Sequence, residues 1–412
     1  MRFEFTPRLV PDSYPLRPVL LASVLKPVDD TRMREKFAET ILQRPDLRVH
    51  VAGRATGDDL PPDLVEAFPR LMHHPIFWGS RLSFNRLRAQ LRYWRLLRVL
   101  CPALVVVHAP ELLPLTLLWQ ALGRGRQFIY DIQENYALNV ATQAVYRGWL
   151  KRGLAAGLRG VESLAARRAA ALVLAEASYA DELPFLGQLP PRRVLVLENK
   201  YQPALAEALP TQAAPRPVPG QPLRLLFSGT LSELTGVREA LALAEALEAR
   251  WPGGALLTII GFCQRPALLA EMQQWAASGR PVRLVGGAQP VPHADIVAEI
   301  NRSHLGLVLY RPHPSTARCR PTKLFEYLAH GLPILTTSNP LWASLVQHYQ
   351  AGLALLPREA PAATAERLVA ALGPGGPAFY PQGPPREALW ASEGKKLGLL
   401  LESLLPGCTF AP

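Results

Sequence analysis

The chain has 412 residues, of which 49% are hydrophobic and 19% are charged, and its net charge is +12. This composition excludes an intrinsically disordered chain, and the length exceeds a single hydrophobic core, so two domains are expected. Residues 1–205 hold 28 Lys and Arg against 19 Asp and Glu, which places most of the positive charge in the first half. Such a field attracts nucleic acid, anionic lipid or phosphorylated small molecules, and charge alone does not choose among them.

Cysteines and apolar runs bear on the cellular location. The four cysteines lie far apart, with no CxxC pair and no histidine at metal-ligand spacing. We therefore expect a reducing compartment and no metal site. No secretory signal is evident, and apolar runs such as 112–123 are shorter than the ~18 to 20 residues that span a bilayer. The sequence predicts a cytoplasmic protein, either free or peripheral on the inner face of the membrane.

The first half alternates short apolar runs with helical patterns. Apolar runs typical of buried strands cover 18–25, 47–53, 103–108, 127–132, 170–176 and 193–199. Helical patterns between them cover 31–43, 81–100, 112–122 and 142–169. This alternation predicts a parallel sheet with crossover helices, and we place the first domain at residues 1–202.

The predicted helix 81–100 is both basic and amphipathic. Its apolar stripe consists of Phe84, Leu87, Leu91, Trp94 and Leu97, and its arginines beside that stripe are Arg81, Arg88, Arg92 and Arg95. One hypothesis is that the helix packs on the sheet with a rim of solvated arginines. The other is that it lies on an anionic membrane surface, as basic helices with tryptophan can do.

A proline-rich stretch, 203–222, interrupts the pattern and is predicted to link two domains. The alternation then resumes, with predicted strands at 223–229, 255–261, 282–286, 305–310 and 333–338 and helices at 237–250, 266–277, 294–301 and 321–330. We place the second domain at 223–385 and expect the last segment, 386–412, to form a helix that packs back on the first domain. The predicted fold class is α/β, with two doubly wound Rossmann-like domains facing a cleft.

The segment RPTKLFEYLAHGLPILTTSNP, residues 320–340, places Lys323 and Glu326 on one surface of a short helix. The helix follows a predicted strand, so its N-terminus opens at the carboxyl edge of the sheet, where ligands bind. An amine at such a helix end suits a diphosphate, and a carboxylate one turn deeper suits a ribose diol. The alternative is a surface ion pair worth ~0.3 kcal/mol.

The pattern P-x-K-x-F-E-Y-x-A-x-G-x-P over 321–333 resembles a motif of GT-B glycosyltransferases, especially the large retaining family 4. The resemblance continues in FSGTLSELTGV (227–237), LTIIGF (257–262) and YDIQENY (130–136), and it covers most of the chain. It implies a hexosyltransferase that needs no cofactor besides its co-substrate, a UDP- or GDP-linked sugar.

In the second half, the resemblance implies that Lys323 contacts the donor phosphates and Glu326 the ribose. The full donor-binding set is Gly229, Thr230, Gly261, Tyr310, Arg320, Pro321, Thr322, Lys323, Leu324 and Glu326. The chain departs from the family at Thr230 and Thr235, where relatives commonly place an arginine and a lysine. It also departs at Arg318, where they place the first glutamate of an E-x7-E motif.

Phosphate candidates remain at these departures and near the start of the chain. Thr235 and Arg318 stand at the altered positions, and Arg32 opens the first predicted helix. The resemblance places the opening segment near the donor phosphates, although the glycine-rich loop of many relatives is missing. A capped helix start with a solvated arginine is the alternative for Arg32.

The first half resembles an acceptor platform. His108 ends a predicted strand, and Asp131 and Glu134 belong to a segment that often reads D-x-H-E in the family. Gln133 replaces the histidine and cannot act as acid or base, whereas the two carboxylates can orient hydroxyls or take a proton. A structural histidine at a strand end is an equal alternative for His108. The catalytic candidates are Lys323, Glu326, His108, Asp131 and Glu134.

The leading hypothesis is hexosyl transfer to a polysaccharide or lipid-linked acceptor, with retention of configuration. The family's mechanism is usually drawn as front-face attack in which the leaving phosphate takes the acceptor proton, so stabilising the diphosphate would dominate catalysis. A sugar-nucleotide epimerase and a non-catalytic GT-B scaffold are alternatives with the same fold. A basic nucleic-acid-binding protein is an alternative from another class, but no nucleic-acid motif is present, so we expect no nucleic acid partner.

Overall fold

The computed structural model describes residues 16–56, 66–80, 83–142, 148–314 and 316–407. They form two compact units. The described residues up to Glu198, together with those from Glu393 onward, make the first unit, and Asn199–Ser392 make the second. The stretch 203–222, for which the sequence predicts a linker, belongs to the second unit, where Ala214 N donates to Gly331 O at 2.8 Å.

The first unit contains a sheet of seven parallel strands in the order β3-β2-β1-β4-β5-β6-β7. The strands are β1 (Arg17–Pro27), β2 (Leu47–Arg54), β3 (Leu71–Phe77), β4 (Leu104–Val107), β5 (Gln127–Ile132), β6 (Ala171–Leu174) and β7 (Val194–Val196). Strands β4 and β6 are buried along their whole length, as expected for a parallel sheet covered on both faces. The strand order reverses between β1 and β4, which is where ligands of doubly wound sheets bind.

Helices cover the first sheet. A π-helical segment, Thr31–Ala38, leads into α1 (Glu39–Leu42), and the other helices are α2 (Asn85–Leu100), α3 (Leu113–Ala121), α4 (Tyr136–Thr142), α5 (Gly148–Arg168) and α6 (Tyr179–Glu182). Asp30 caps the first of these, because its carboxylate accepts from Arg32 N and Met33 N at 3.1 Å each.

The second unit contains six parallel strands in the order β10-β9-β8-β11-β12-β13. They are β8 (Leu223–Thr230), β9 (Ala255–Phe262), β10 (Val282–Gly287), β11 (Leu305–Val308), β12 (Ile334–Thr336) and β13 (Gly352–Ala354). Its helices in chain order are α7 (Val237–Glu248), α8 (Pro266–Ala277), α9 (His293–Arg302), α10 (Thr322–Ala329), α11 (Pro340–His348) and α12 (Pro361–Leu372). Apolar clusters pack on both faces of this sheet, and the strand order reverses between β8 and β11. The last helix, α13 (Ala391–Leu404), belongs to the first unit from Glu393 onward.

The structure confirms the predicted α/β class and the two doubly wound parallel sheets. It adds the edge strands β3 and β13 and the helices α11 and α12, which the pattern did not predict. β3 reads LMHHPIF, and its proline and histidines argue against a strand, but an edge strand tolerates proline. The helix predicted over 142–169 corresponds to α5, and the unpredicted α4 precedes it, with residues 143–147 outside the described part of the chain.

The apolar stripe predicted on α2 is partly buried against the sheet and partly exposed. The residues of this helix that are buried against the sheet are Ala89, Tyr93 and Leu97, whereas Phe84, Leu87 and Leu91 are exposed. Trp94 is half-buried between the two sets, and Arg81 lies outside the described residues. Across the described ranges, every helix is too short or too polar to cross a bilayer.

Candidate functional site

The carboxyl ends of β8 and β11 form the candidate site of the second unit. These strands are neighbours at the reversal of strand order, where loops leave in opposite directions and open a crevice. β8 ends at Gly229 and Thr230, and β11 is followed by Tyr310 and then by α10. The fold therefore brings the Gly229 turn and the first turn of α10 to one place.

Lys323, in the first turn of α10, is buried, and no acidic side chain among the described residues forms an ion pair with it. Its ammonium nitrogen lies 4.6 Å from the ring centroid of Phe227 and 5.4 Å from that of Tyr310. The residue is 6% exposed, and Nζ has no hydrogen-bond partner among the described residues. Burial lowers the pKa of Lys323 to about 8, against the opposing charge of Glu326. A buried cation with only ring faces around it is costly, and an anionic ligand would compensate that cost.

Two glycines let the backbone approach this amine. Gly229 has φ +94°, and a Cβ there would lie 3.6 Å from Lys323 Cε and 3.8 Å from Nζ. Gly261 pairs with Gly229 in register, has φ +144°, and would place a Cβ 1.8 Å from Gly229 O. Gly261, predicted to bind the donor, thus keeps the ends of β8 and β9 together. Gly229 leaves open the space beside the lysine.

Glu326, one turn further along α10, does not pair with Lys323 in the described part of the chain. Its Oε1 lies 3.1 Å from His293 Nε2, and His293 packs at a tilt on Tyr201 with 5.8 Å between ring centroids. The interpretation of Lys323 and Glu326 as a simple surface ion pair therefore fails. Sequence reasoning missed His293, although its position at the start of the helix after β10 was a usable signal.

The orientation of α10 is fixed by buried contacts. Tyr327 OH lies 2.8 Å from Ser228 Oγ and accepts from Ser228 N at 3.3 Å, which fastens the helix to β8. Gly306 in β11 makes room for this ring, since a Cβ there would lie 2.5 Å from Tyr327 Cδ2. The side chain of Leu324 is fully buried and packs in the core cluster on this face of the sheet.

Thr230 ends β8, and Thr235 lies in the loop that follows it. Thr235 Oγ1 donates to Thr230 O at 2.9 Å and accepts from Ser232 N at 3.0 Å, and its side chain is buried. Thr235, a phosphate candidate from the sequence, is therefore engaged within its own loop. Thr230 is exposed at the end of the strand.

The segment before α10 carries the remaining donor candidates. Pro321 is the N-cap residue in an extended conformation, and Leu324 N donates to its carbonyl at 2.9 Å. Thr322 and Arg320 are half-buried, and Arg318 is exposed. These residues lie beside the helix start, which orients its free N–H groups toward the same edge as Lys323.

The first unit has its own polar cluster at the carboxyl ends of β1, β4 and β5. Arg32 Nε and Nη2 donate to the two oxygens of Asp131 at 2.9 and 2.7 Å, and Arg32 Nη1 donates to Leu197 O at 3.0 Å. His108 Nδ1 lies 2.8 Å from Asp131 Oδ2. All three side chains are buried. Arg32, predicted as a phosphate contact, instead directs its guanidinium at Asp131 and a carbonyl.

Electrostatics fix the protonation of this cluster. Burial opposes ionisation of Asp131, but the charge and hydrogen bonds of Arg32 hold its pKa below the usual range. Burial lowers the pKa of His108, and its contact with Asp131 only partly offsets this. A neutral His108 beside a carboxylate carries its proton on Nδ1. Its Nε2 is then an acceptor, buried and without a partner among the described residues.

Gln133 is a further hydrogen-bond donor to Asp131. Its Nε2 donates to Asp131 Oδ2 at 2.7 Å, and its Oε1 accepts from Lys26 Nζ. Lys26, at the end of β1, was missed from the sequence. Asp131 thus accepts four hydrogen bonds, two from Arg32 and one each from His108 and Gln133. Glu134 is exposed.

Both units therefore place polar side chains where the strand order of a sheet reverses. The second unit presents the buried ammonium of Lys323 and the carboxylate of Glu326, and the first presents the imidazole of His108. In the ranges that the structure describes, no three His, Cys, Asp or Glu side chains lie close enough to hold a metal ion.

Two family models match the sequence. Residues 40–200 match the glycosyl transferase 4-like domain, and residues 222–373 match the glycosyl transferases group 1 domain. The first range lies in the first unit but for its last two residues, and the second range lies in the second unit. No curated protein sequence matches the chain at a significant level.

Solved structures with the same architecture cover nearly all of the chain. Sucrose-phosphate synthase from Thermosynechococcus elongatus is 14% identical, with a TM-score of 0.64 over 94% of this chain and 99% of that chain. HepE from Anabaena, in complex with UDP and glucose, is 13% identical, with a TM-score of 0.61 over 94% and 100%. WaaG, a glycosyltransferase involved in lipopolysaccharide biosynthesis, is 15% identical, with a TM-score of 0.55 over 95% and 100%. The likeness confirms the expected GT-B fold.

Proposed function

Since the chain belongs to the group 1 glycosyl transferases, we propose that it moves a hexosyl unit from a nucleotide-diphosphate sugar to an acceptor hydroxyl, with retention. The observation that carries this proposal is the buried ammonium of Lys323 beside Gly229, with no counter-ion among the described residues. A pyrophosphate supplies the missing negative charge. Glu326, one turn away, supplies a carboxylate for the ribose hydroxyls.

UDP is the proposed nucleotide of the donor. The support is that HepE, similar in fold, was solved with UDP and glucose and with UDP-glucose. The loop at Thr230 and Thr235 lacks the two cations of the family, so the phosphate charge falls on Lys323 and the helix N-terminus. Arg320 and Arg318, just before that helix, are the next cations along the chain.

The proposed reaction breaks the bond between the anomeric carbon and the diphosphate oxygen and forms a bond from that carbon to the acceptor oxygen. The acceptor proton passes to the departing diphosphate, so no carboxylate base is required. Lys323 stabilises the charge that develops on the leaving group, the contribution that usually dominates such reactions. His108 Nε2 is the proposed acceptor for a substrate hydroxyl, and Asp131 holds the ring in place.

A thermal-shift screen followed by turnover tests this function. UDP at about 100 times its dissociation constant should stabilise the protein by about 2.7 kcal/mol, and GDP should stabilise it less. With UDP-hexoses, the protein should then release free UDP slowly without acceptor and faster with one. The anomeric configuration of the product, read by NMR, should match that of the donor.

The alternatives give different results in the same experiment. An epimerase would change the configuration of the UDP-linked sugar without net release of UDP. A non-catalytic scaffold would bind UDP without any turnover of the UDP-sugar. A nucleic-acid-binding protein would retain nucleic acid through purification and show no shift with UDP. Absence of any nucleotide shift would end the proposal.

The proposed acceptor is a saccharide, either a growing polysaccharide or a sugar carried on a lipid. A lipid-linked acceptor would require the enzyme to work at the inner face of the membrane. The excess of basic residues in the first half supports that location, because the cytoplasmic leaflet is anionic.

A further inference from the structure

The N-terminal half of α2 and the turn before it expose apolar side chains that the fold leaves uncovered. Phe84 is 90% exposed, Leu87 is 67% exposed and Leu91 is 62% exposed. They lie at 3- and 4-residue spacing and therefore share one face of the helix. Trp78, in the segment before the helix, is 44% exposed and lies against the guanidinium of Arg92. We call these four residues the apolar ridge.

The opposite face of α2 explains why the apolar ridge cannot turn inward. Ala89, Tyr93 and Leu97 are fully buried against the sheet, and Tyr93 OH lies 2.7 Å from Thr116 Oγ1 on α3. A rotation that buried Leu87 would expose Tyr93 and break this contact. The ridge is thus an outward-facing surface of a firmly packed helix.

The charged residues of α2 itself are all arginines, and Glu111 lies beside one of them, Arg86. Residues 67–110 contain no Asp or Glu, whereas the exposed arginines Arg88, Arg95 and Arg98 lie along the same side of α2. Two other arginines of α2 are held by specific partners. Arg92 lies over the Trp78 ring at 4.6 Å and donates to Ile76 O, and Arg86 forms an ion pair with Glu111.

The apolar ridge lies toward the carboxyl edge of the first sheet. α2 follows β3 and runs back across the sheet, so its first turns lie toward the carboxyl edge of the strands. That is also the edge at which His108 follows β4. The ridge and the polar cluster of the first unit thus lie toward the same edge of one sheet.

We propose that the apolar ridge, with Arg88, Arg95 and Arg98, is a docking surface for an anionic lipid bilayer. A face with large apolar side chains flanked by arginines is the chemistry that inserts shallowly between headgroups and attracts negative lipid. The aromatic rings of Trp78 and Phe84 suit the interfacial depth. The exposure and charge of these residues support membrane docking independently of the proposed function. Only its use, to present a lipid-linked acceptor at that edge of the sheet, rests on the proposed function.

Vesicle sedimentation with the full chain tests the docking surface. The protein should bind vesicles of phosphatidylcholine with about one third phosphatidylglycerol and should bind pure phosphatidylcholine at least about tenfold more weakly. Raising the salt from about 0.1 M to about 0.5 M should weaken the binding strongly, since it screens the arginines. Leu87→Glu combined with Leu91→Glu should reduce binding at least about tenfold.

A matched control separates docking from general surface charge. Leu399→Glu on α13 alters an exposed leucine of the same unit, far from the apolar ridge in sequence, and should leave vesicle binding unchanged. Because all three leucines are exposed, the variants should keep the thermal midpoint of the parent. UDP binding by Leu87→Glu/Leu91→Glu should also be unchanged, which separates this inference from the proposed function.

Several outcomes would overturn the docking surface. Equal binding to neutral and anionic vesicles, or binding that survives the double substitution, would remove it. Concentration-dependent self-association lost in Leu87→Glu/Leu91→Glu would assign the ridge to a second copy of the chain. Co-purifying nucleic acid lost on replacing Arg88 and Arg95 would assign the arginines to nucleic acid.

Discussion

Replacing Lys323 by methionine is expected to lower kcat/KM for the nucleotide sugar by about 10²- to 10³-fold while making the ligand-free protein more stable. The activity falls because the developing charge on the leaving diphosphate loses its ammonium. The stability rises because methionine fills the space over Phe227 and Tyr310 without a buried charge, a gain on the order of 2 kcal/mol. Steady-state kinetics and urea denaturation give the two values.

The opposite signs of these effects make the prediction sharp. A variant that merely damaged the fold would lose both activity and stability. Lys395→Met, at an exposed position of α13, is the matched control and should change neither quantity. Normal turnover by Lys323→Met, or a loss of stability, would contradict the role assigned to this amine.

The affinity for UDP should also depend on pH through Lys323. Its pKa in the ligand-free protein is lowered to about 8, so the ammonium loses its proton as the pH rises above that value. Affinity should therefore be highest below pH 8 and fall by about tenfold between pH 7 and pH 9. Calorimetric titration of UDP measures this, and the slope should vanish in Lys323→Met. A slope retained in that variant would mean that another group titrates.

Substituting Gly261 by alanine should strongly destabilise the second unit. The new Cβ would lie 1.8 Å from Gly229 O and 2.8 Å from Gly229 C, at φ +144°. Both neighbours are backbone, so the ends of β8 and β9 must separate. We expect a loss of about 3 kcal/mol or more, with the thermal midpoint falling by about 6 °C to 12 °C. UDP binding should fall with it, because Gly229 moves away from Lys323.

Gly279 provides the control for the backbone conformation alone. It also has a positive φ, +75°, but a Cβ there meets nothing within 4 Å. Gly279→Ala should cost only about 1 kcal/mol and should leave UDP binding intact. Similar losses from the two alanines would show that the approach of β8 to β9 is not what Gly261 protects.

The alternating apolar runs predicted most of the fold because buried parallel strands leave a simple pattern. β8, β9 and β11 are continuous apolar segments that end at turn residues, and the sequence located all three. Edge strands carry less of that signal. β3 contains Pro75, and β13 has three residues, so neither could be recognised without its neighbour.

The candidate site was only partly accessible from sequence. Lys323 stood out because it interrupts an apolar helix at its first turn, and the structure places it over two aromatic rings. The partners of Arg32 could not be read in the same way. Asp131 lies 99 positions away and meets Arg32 only because β1, β4 and β5 end at one edge of the sheet. The hydrogen bond of the Thr235 hydroxyl could not be predicted either, because its acceptor is the backbone carbonyl of Thr230.

The most direct test of the account is a crystal structure of the protein with UDP bound. The diphosphate should lie at the carboxyl ends of β8 and β11, with Lys323 Nζ moved off the Phe227 ring to within about 3 Å of a phosphate oxygen. Glu326 should contact the ribose diol. A nucleotide bound elsewhere, or bound there with Lys323 still resting on the rings, would contradict it.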